Sequence, residues 1–333
     1  MSISKKTVIS GITLAILAAG ALTASAFLGN VKPNSDNTII YIDNDDTPDS
    51  VWQKAGLGWR GDIISLVLPY KKVRTGRYDV GQDIPVLTLY RKLRNGQQDP
   101  VHLTIPTSRT MEKLAGALSK KLMLDSLTLV NALTDETFCQ EAGYNQATLP
   151  ALFIPNTYEV YWDITLEGLI QRMQKENKAF WNDEREKKAK ALNLSHEEIY
   201  TLASIVDEET ANDAEKPAIA GLYLNRLHKD MPLQADPTVK FAVGDFSLRR
   251  ITGEHLKKES PYNTYLNIGL PPGPIRIASI AGLDAVLNYQ HHNYLYMCAK
   301  ADFSGTHAFA ANFTEHKKNA RNYIRALNER NIH

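Results

Sequence analysis

Three consecutive acids, Asp207, Glu208 and Glu209, end an apolar segment in the stretch SIVDEET. A carboxyl group serves as a general acid near neutral pH when burial against apolar surface raises its pKa. If one of these acids is buried in this way, it is a candidate for catalysis. The same pattern is also typical of a solvated helix end, and helical geometry helps to choose between the two.

Helical spacing favours the third acid. With 3.6 residues per turn, Glu209 lies on the same face as Leu202 and Ile205, which precede it by seven and four residues. Glu208 then points towards water, and Asp207 falls at the margin of the apolar face. We therefore predict Glu209 as the catalytic acid. Fraying of the helix before Glu209, or an arginine paired with it, is the structural alternative.

Polar and aromatic side chains that suit a carbohydrate site occur in three later segments, LQADPTV (233–239), SPYNTY (260–265) and GTHAF (305–309). Aromatic rings stack on sugar rings, while amides and hydroxyls bind sugar hydroxyl groups. An N-terminal cap, a surface loop and a hydrogen-bonded histidine are the respective structural alternatives. The candidate substrate-binding residues are Gln234, Asp236, Thr238, Tyr262, Asn263, Thr264, Tyr265 and His307.

Composition and motifs exclude several other classes of function. The chain has 38 basic and 37 acidic residues among 333, so nucleic acid is not an expected partner. Phosphate-binding loops and metal-ligand spacings of Cys and His are absent from the sequence, so we expect no cofactor and no metal. Cys139 and Cys298, the only cysteines, could pair in an exported protein or remain as two separate thiols.

An amino-terminal apolar run indicates export. Lys5 and Lys6 precede an almost uncharged run over 7–28, about the 20 residues that a membrane span needs. The lysines place the amino terminus inside and the rest of the chain outside. Ala24-Ser25-Ala26 also fits a signal-peptidase site. We favour an uncleaved anchor because the apolar run continues beyond Ala26.

The pattern of elements predicts an α+β protein. Strands at 38–42 and 77–80 enclose two helices, at 49–56 and 61–70, after a polar linker over 30–37. A helix at 84–93 and a strand at 101–105 follow, and a long charged helix is predicted over 166–192. Ser195 and Glu198 form a capping box that starts the helix of SIVDEET. Asp236 is predicted to cap another helix, with Pro237 at its first position. A hairpin is predicted from 294–299 and 307–310, with a last helix from Thr314.

Six motifs then occur in an order that resembles the YceG-like family: LASIVDEET, YLNRL, LQADPTV, YNTY, GLPPGPI and His307-x-Phe309. The resemblance implies a single-pass inner-membrane protein whose catalytic part is periplasmic. Its implied divisions are a membrane anchor (1–29), a small LysM-like α+β subdomain (38–105) and a catalytic domain (106–333). That domain is expected to be mostly helical, with a β-hairpin near its carboxyl end.

The resemblance also implies an activity, endolytic cleavage of the MurNAc-β-1,4-GlcNAc bond of peptidoglycan strands without water. The products carry 1,6-anhydroMurNAc ends, and Glu209, the acid immediately before threonine, is the implied single catalytic group. Peptidoglycan strands and peptidoglycan synthases are the implied partners, with a role in ending new strands. A hydrolase with a second carboxylate, for which Asp236 and Asp207 are candidates, is one alternative. A membrane-anchored cell-wall binding protein without activity is the other.

Overall fold

The structure is a computed structural model that describes residues 5–31, 38–68, 70, 72–81, 83–248 and 250–330. Most of the predicted linker, together with Arg249 and both ends of the chain, lies outside these residues. The chain divides into two compact units. The amino-terminal unit comprises 1–103, 119–125 and 158–165, and the carboxy-terminal unit comprises 104–118, 126–157 and 166–333.

The amino-terminal unit has the predicted strand-helix-helix-strand order. Strand β1 pairs antiparallel with β2, with Ile39 opposite Asp79. Trp52 and Tyr78 are among the largest buried side chains of its core. The elements are α1 (Lys5–Phe27), β1 (Ile39–Ile42), α2 (Pro48–Lys54), α3 (Trp59–Val67), β2 (Gly76–Asp79) and α4 (Val86–Asn95).

A second two-stranded sheet pairs β3 (Val101–Thr104) with β4 (Thr157–Val160). Most remaining elements are helices of the carboxy-terminal unit, which confirms the α+β class. They are α5 (Met111–Leu118), α6 (Ser126–Leu133), α7 (Glu136–Glu141), a 3₁₀ turn (Leu149–Leu152), α8 (Leu166–Phe180), α9 (Asp183–Leu192), α10 (His196–Glu209), α11 (Lys216–Leu227), α12 (Asp236–Val243), α13 (Gly253–Leu256), α14 (Ile280–Leu287), β5 (Tyr296–Ala299), β6 (His307–Ala310) and α15 (Phe313–Glu329).

Helix α10 is the central element of this unit. The predicted capping box is present, because Ser195 and Glu198 each accept from the other's backbone N–H. Eight consecutive residues of the helix, 199–206, are buried. Burial on all sides fixes the direction in which the carboxyl end of α10 presents its acids.

Two predictions about helix starts are wrong. The long helix over 166–192 is two helices, because the side chain of Asn182 accepts from the Arg185 amide at 3.1 Å and caps α9. The cap of α12 is Ala235, so Asp236 is the first helical residue and its carboxylate is available for another contact. The predicted carboxy-terminal hairpin is confirmed, with Tyr296 opposite Ala310.

Candidate active site

Glu209 is the last residue of α10 and lies half-buried in the wall of a cavity of about 220 Å³. Helix α11, the 233–236 segment, Tyr265 and the carboxy-terminal hairpin supply the rest of the wall. The cavity belongs to the carboxy-terminal unit alone. Its lining residues are Glu209, Leu222, Tyr223, Arg226, Leu233, Gln234, Asp236, Tyr265, Met297, Cys298, Ala299 and His307.

The surroundings of Glu209 favour its protonated form. Burial raises the pKa of its carboxyl to about 7, and the negative charges of Asp236 and Glu208 act in the same direction. The hydroxyl of Tyr223 donates to Oε1 at 2.6 Å, and this hydrogen bond, with the charge of His307, lowers the pKa against those effects. The result is a carboxyl that gives up and regains a proton near neutral pH.

Tyr223 is itself a rigid part of the wall. It is buried in α11, and burial together with the neighbouring carboxylate raises its pKa well above 10, so its hydroxyl keeps its proton. A permanent donor at Oε1 leaves Oε2 of Glu209 as the oxygen that carries the exchangeable proton. The Tyr223 hydroxyl therefore orients the acid as well as tuning it.

Four of the eight predicted substrate-binding residues line this cavity: Gln234, Asp236, Tyr265 and His307. The Tyr265 hydroxyl donates to Oδ1 of Asp236 at 2.6 Å, and burial, then this bond, raises the pKa of Tyr265. Gln234 has a φ of +49°, a left-handed conformation that is uncommon outside glycine. The backbone N–H of Gln234 donates to the Thr264 carbonyl at 3.1 Å, which holds the residue in that conformation.

The other four predicted binding residues are not brought to this cavity. Thr238, Asn263 and Thr264 are at most 1% exposed and serve the packing of the loop. The hydroxyls of Thr238 and Thr264 are 2.8 Å apart, and the Asn263 side chain donates to the carbonyls of Leu256 and Lys258. The ring of Tyr262 packs against that of Phe241, with 4.6 Å between the ring centroids, and lines a separate surface depression. The polar side chains of Thr238, Asn263 and Thr264 therefore satisfy buried backbone groups.

Two residues that support the cavity were not predicted from the sequence: Arg226 in its wall, and Glu215, which contacts the wall residue His307. The buried Glu215 accepts from the His307 amide at 2.6 Å and lies 3.0 Å from its Nδ1. Although burial raises the pKa of Glu215, these bonds bring it below its usual range. The buried Arg226 donates to the carbonyls of Pro232, Leu233 and Leu295 at 2.6 to 3.0 Å. It thereby joins the Gln234 segment to the hairpin.

The Asp207 carboxylate connects the end of α10 to the starts of α11 and α14. It accepts from the amide and hydroxyl of Ser279 at 2.6 and 2.8 Å and pairs with Lys216 at 2.7 Å. A Cβ on Gly282 would lie 2.6 Å from Oδ1, so the close approach of α14 requires glycine there. All its contacts lead away from the cavity, so Asp207 is no candidate for the second carboxylate.

The prediction that Glu208 is solvated is wrong. Its side chain is only 11% exposed and forms ion pairs with Arg109 at 2.7 Å and Arg276 at 2.8 Å. Arg276 also donates to the Thr107 carbonyl at 3.0 Å. The arginine partner that we considered for Glu209 thus belongs to its neighbour, which leaves Glu209 free to face the cavity.

Metal ligands are not clustered in the part of the chain that the structure describes, where no group of three or more His, Cys, Asp or Glu side chains could hold an ion. Both cysteines are free, Cys139 buried in α7 and Cys298 in the cavity wall. The carboxyl groups that line the cavity, those of Glu209 and Asp236, are groups that can transfer protons.

Comparison with known proteins finds similar sequences and a similar fold over most of the chain. The model of the YceG-like family matches residues 48–322. An endolytic murein transglycosylase of Bacillus subtilis is 29% identical over 273 residues, 77% of this chain and 75% of that protein. One from Streptococcus pneumoniae is 27% identical and covers 93% of this chain, which spans 64% of that protein's length. The crystal structure of a YceG-like protein from Listeria monocytogenes matches 84% of this chain and 98% of its own, with a TM-score of 0.56 at 24% identity, and supports the fold alone.

Proposed function

Because this chain belongs to the YceG-like family, we propose that it is an endolytic lytic transglycosylase of peptidoglycan. It cleaves the MurNAc-β-1,4-GlcNAc bond within glycan strands and leaves 1,6-anhydroMurNAc ends. The observation that carries this proposal is Glu209, a half-buried carboxyl with a pKa of about 7, oriented by Tyr223 in a cavity.

The reaction requires one group that acts first as an acid and then as a base. Protonated Glu209 gives its proton to the glycosidic oxygen as the bond from that oxygen to C1 of MurNAc breaks. The resulting carboxylate takes the proton of the MurNAc 6-hydroxyl while O6 bonds to C1. Protons balance, water is not consumed and the acid is regenerated. A pKa near the working pH suits both steps.

The remaining cavity residues are proposed to bind the sugar. Gln234 and Asp236 are exposed at the cavity, and the half-buried Tyr265 lines it beside them. His307 is fixed by Glu215, which leaves its Nε2 as the polar atom for substrate. Asp236 is also the candidate for a second carboxylate in a hydrolase, because it lines the same cavity as Glu209 and its charge raises the pKa of that carboxyl.

Membrane anchoring through α1 is the proposed localisation, with the rest of the chain periplasmic. Residues Lys6–Phe27 form a helix of 22 residues, and an 18-residue window within it has a mean hydropathy of 1.9. Ala26, at the possible cleavage site, is fully buried, and Arg60 donates to its carbonyl at 3.3 Å. These contacts support retention of the helix. A LysM-like role for residues 38–105, and a peptidoglycan synthase as partner in ending new strands, remain part of the proposal.

Digestion of purified peptidoglycan, followed by mass spectrometry of the strand ends, tests the activity. Wild-type protein is expected to produce anhydro ends, and Glu209→Gln to produce none while remaining folded. Reducing ends that disappear in Asp236→Asn would favour the hydrolase. Absence of any cleavage by folded wild-type protein would favour a binding protein.

A further inference from the structure

Helix α3 (Trp59–Val67) carries a stripe of apolar side chains that is open to solvent in the described part of the chain. Trp59, Leu66 and Val67 are 54%, 85% and 52% exposed, and Ile63 is half-buried. These four residues, the α3 stripe, follow the spacing i, i+4, i+7 and i+8 and so share one face of the helix. Large side chains exposed together in this way mark a binding surface.

The opposite face of α3 and Arg60 fix this helix in the amino-terminal unit. Gly61 and Ile64 are buried against its core. The guanidinium of Arg60 donates to the carbonyls of Ala26 and Asn30 at 3.3 and 3.2 Å, and also to that of Leu28. It therefore satisfies the free carbonyls at the end of α1 and complements their dipole. Helix α3 is thus attached directly to the end of α1.

The length of α1 sets the depth of that end. The 22-residue helix Lys6–Phe27 extends about 33 Å, against a hydrocarbon core about 30 Å thick. If α1 spans the membrane, Phe27 lies at the boundary between hydrocarbon and headgroups. Since Arg60 binds the carbonyls on either side of Phe27, α3 lies at the same level.

We infer that the α3 stripe is a second membrane contact, embedded in the headgroup layer of the bilayer that α1 spans. Trp59 and Arg60 are residue types that suit this layer, because an amphipathic ring and a snorkelling guanidinium each combine apolar and polar parts. Leu28, 69% exposed next to the end of α1, extends the apolar surface. This contact adds to the proposed membrane anchoring through α1, and the inference rests on that proposal. The contact would hold the amino-terminal unit on the membrane surface, with α1 and α3 as two separate contacts.

Depth measurements on the full chain in vesicles of phosphatidylethanolamine and phosphatidylglycerol test this inference. Both native cysteines are replaced by alanine, and a nitroxide is attached to Leu66→Cys. Leu14→Cys, within α1, reports on insertion, and Leu127→Cys is a matched exposed leucine on α6, 68% exposed. Collision with oxygen, which concentrates in lipid, is compared with collision with a water-soluble nickel complex.

The expected oxygen-to-nickel ratio is several-fold higher at Leu66 than at Leu127 and approaches that at Leu14. Equal ratios at Leu66 and Leu127, with Leu14 in lipid, would overturn the membrane contact of the α3 stripe while leaving the anchoring through α1 intact. A water-like ratio at Leu14 would overturn both the anchoring through α1 and the membrane contact of the α3 stripe. Because the vesicles contain no other protein, a lipid-like ratio at Leu66 also excludes a protein as the required occupant.

Discussion

Removal of the Tyr223 hydroxyl is expected to shift the pH dependence of cleavage to higher pH. The hydroxyl donates to Glu209 at 2.6 Å and lowers the pKa of that carboxyl against the effect of burial. A hydrogen bond to a charged group contributes about 1.5–3 kcal/mol, and 1.36 kcal/mol corresponds to one pKa unit. In Tyr223→Phe the pKa of Glu209 therefore rises by about one to two units, from about 7 to about 8–9.

The assay is kcat/KM for release of anhydro ends from soluble glycan strands, measured across pH. Cleavage starts from protonated Glu209, so the alkaline limb of the profile reports its pKa in the free enzyme. Wild type at pH 8.5 should retain about 3% of its plateau rate, whereas Tyr223→Phe should retain a far larger share of its own.

Tyr265→Phe is the matched control for this experiment. It removes another cavity hydroxyl, but one that donates to Asp236 instead of Glu209. Its alkaline limb is expected to stay near that of wild type. An alkaline limb that stays in place, or moves to lower pH, in Tyr223→Phe would refute the assignment of Glu209 as the acid tuned by this tyrosine.

Three further substitutions have distinct expected outcomes. The pKa of Glu209 is raised from 4.5 to about 7 in the folded protein, so between these pH values the folded state binds a proton that the unfolded state has lost. The free energy of unfolding therefore falls as pH rises through this range. Glu209→Gln should raise the free energy of unfolding at pH 8 by up to about 3 kcal/mol and leave it nearly unchanged at pH 4. Asp207→Asn, which breaks the buried pair with Lys216, should cost about 3 kcal/mol of unfolding free energy in denaturant titrations and leave the alkaline limb in place. Arg226→Lys, which loses the hydrogen bonds to carbonyls 232–233, should raise KM for glycan strands more than it lowers kcat.

Each of these outcomes has a clear contradiction. Equal stability of Glu209→Gln and wild type at pH 8 would mean that the Glu209 carboxyl is not desolvated. A shifted alkaline limb in Asp207→Asn would mean that Asp207 tunes the catalytic acid. An unchanged KM in Arg226→Lys would separate the Gln234 segment from substrate binding.

Helical periodicity placed Glu209 on the same face as Leu202 and Ile205, and the structure finds its side chain in the cavity wall. The same reasoning failed for Glu208, because its partners Arg109 and Arg276 lie 99 and 68 residues away and one helix gives no information about them. A polar residue beside an apolar stripe can be buried as part of an ion pair. Only tertiary packing determines whether that occurs.

The predicted sugar-binding residues illustrate a second limit. Thr264 and Asn263 have the composition of a carbohydrate site, yet their side chains hold the loop that positions Gln234 and Tyr265. Side-chain hydrogen bonds to backbone and hydrogen bonds to ligand require the same residue types. Glu215 was not predicted because its acceptor role depends on His307, 92 residues later.

The most direct test of the central claim is cleavage of glycan strands in ¹⁸O-labelled water. If the MurNAc 6-hydroxyl is the nucleophile and Glu209 only transfers protons, wild-type products carry anhydro ends with no ¹⁸O, and Glu209→Gln gives no products. Strand ends that carry one ¹⁸O atom at C1 of MurNAc would mean that water attacks, and would contradict the lytic mechanism.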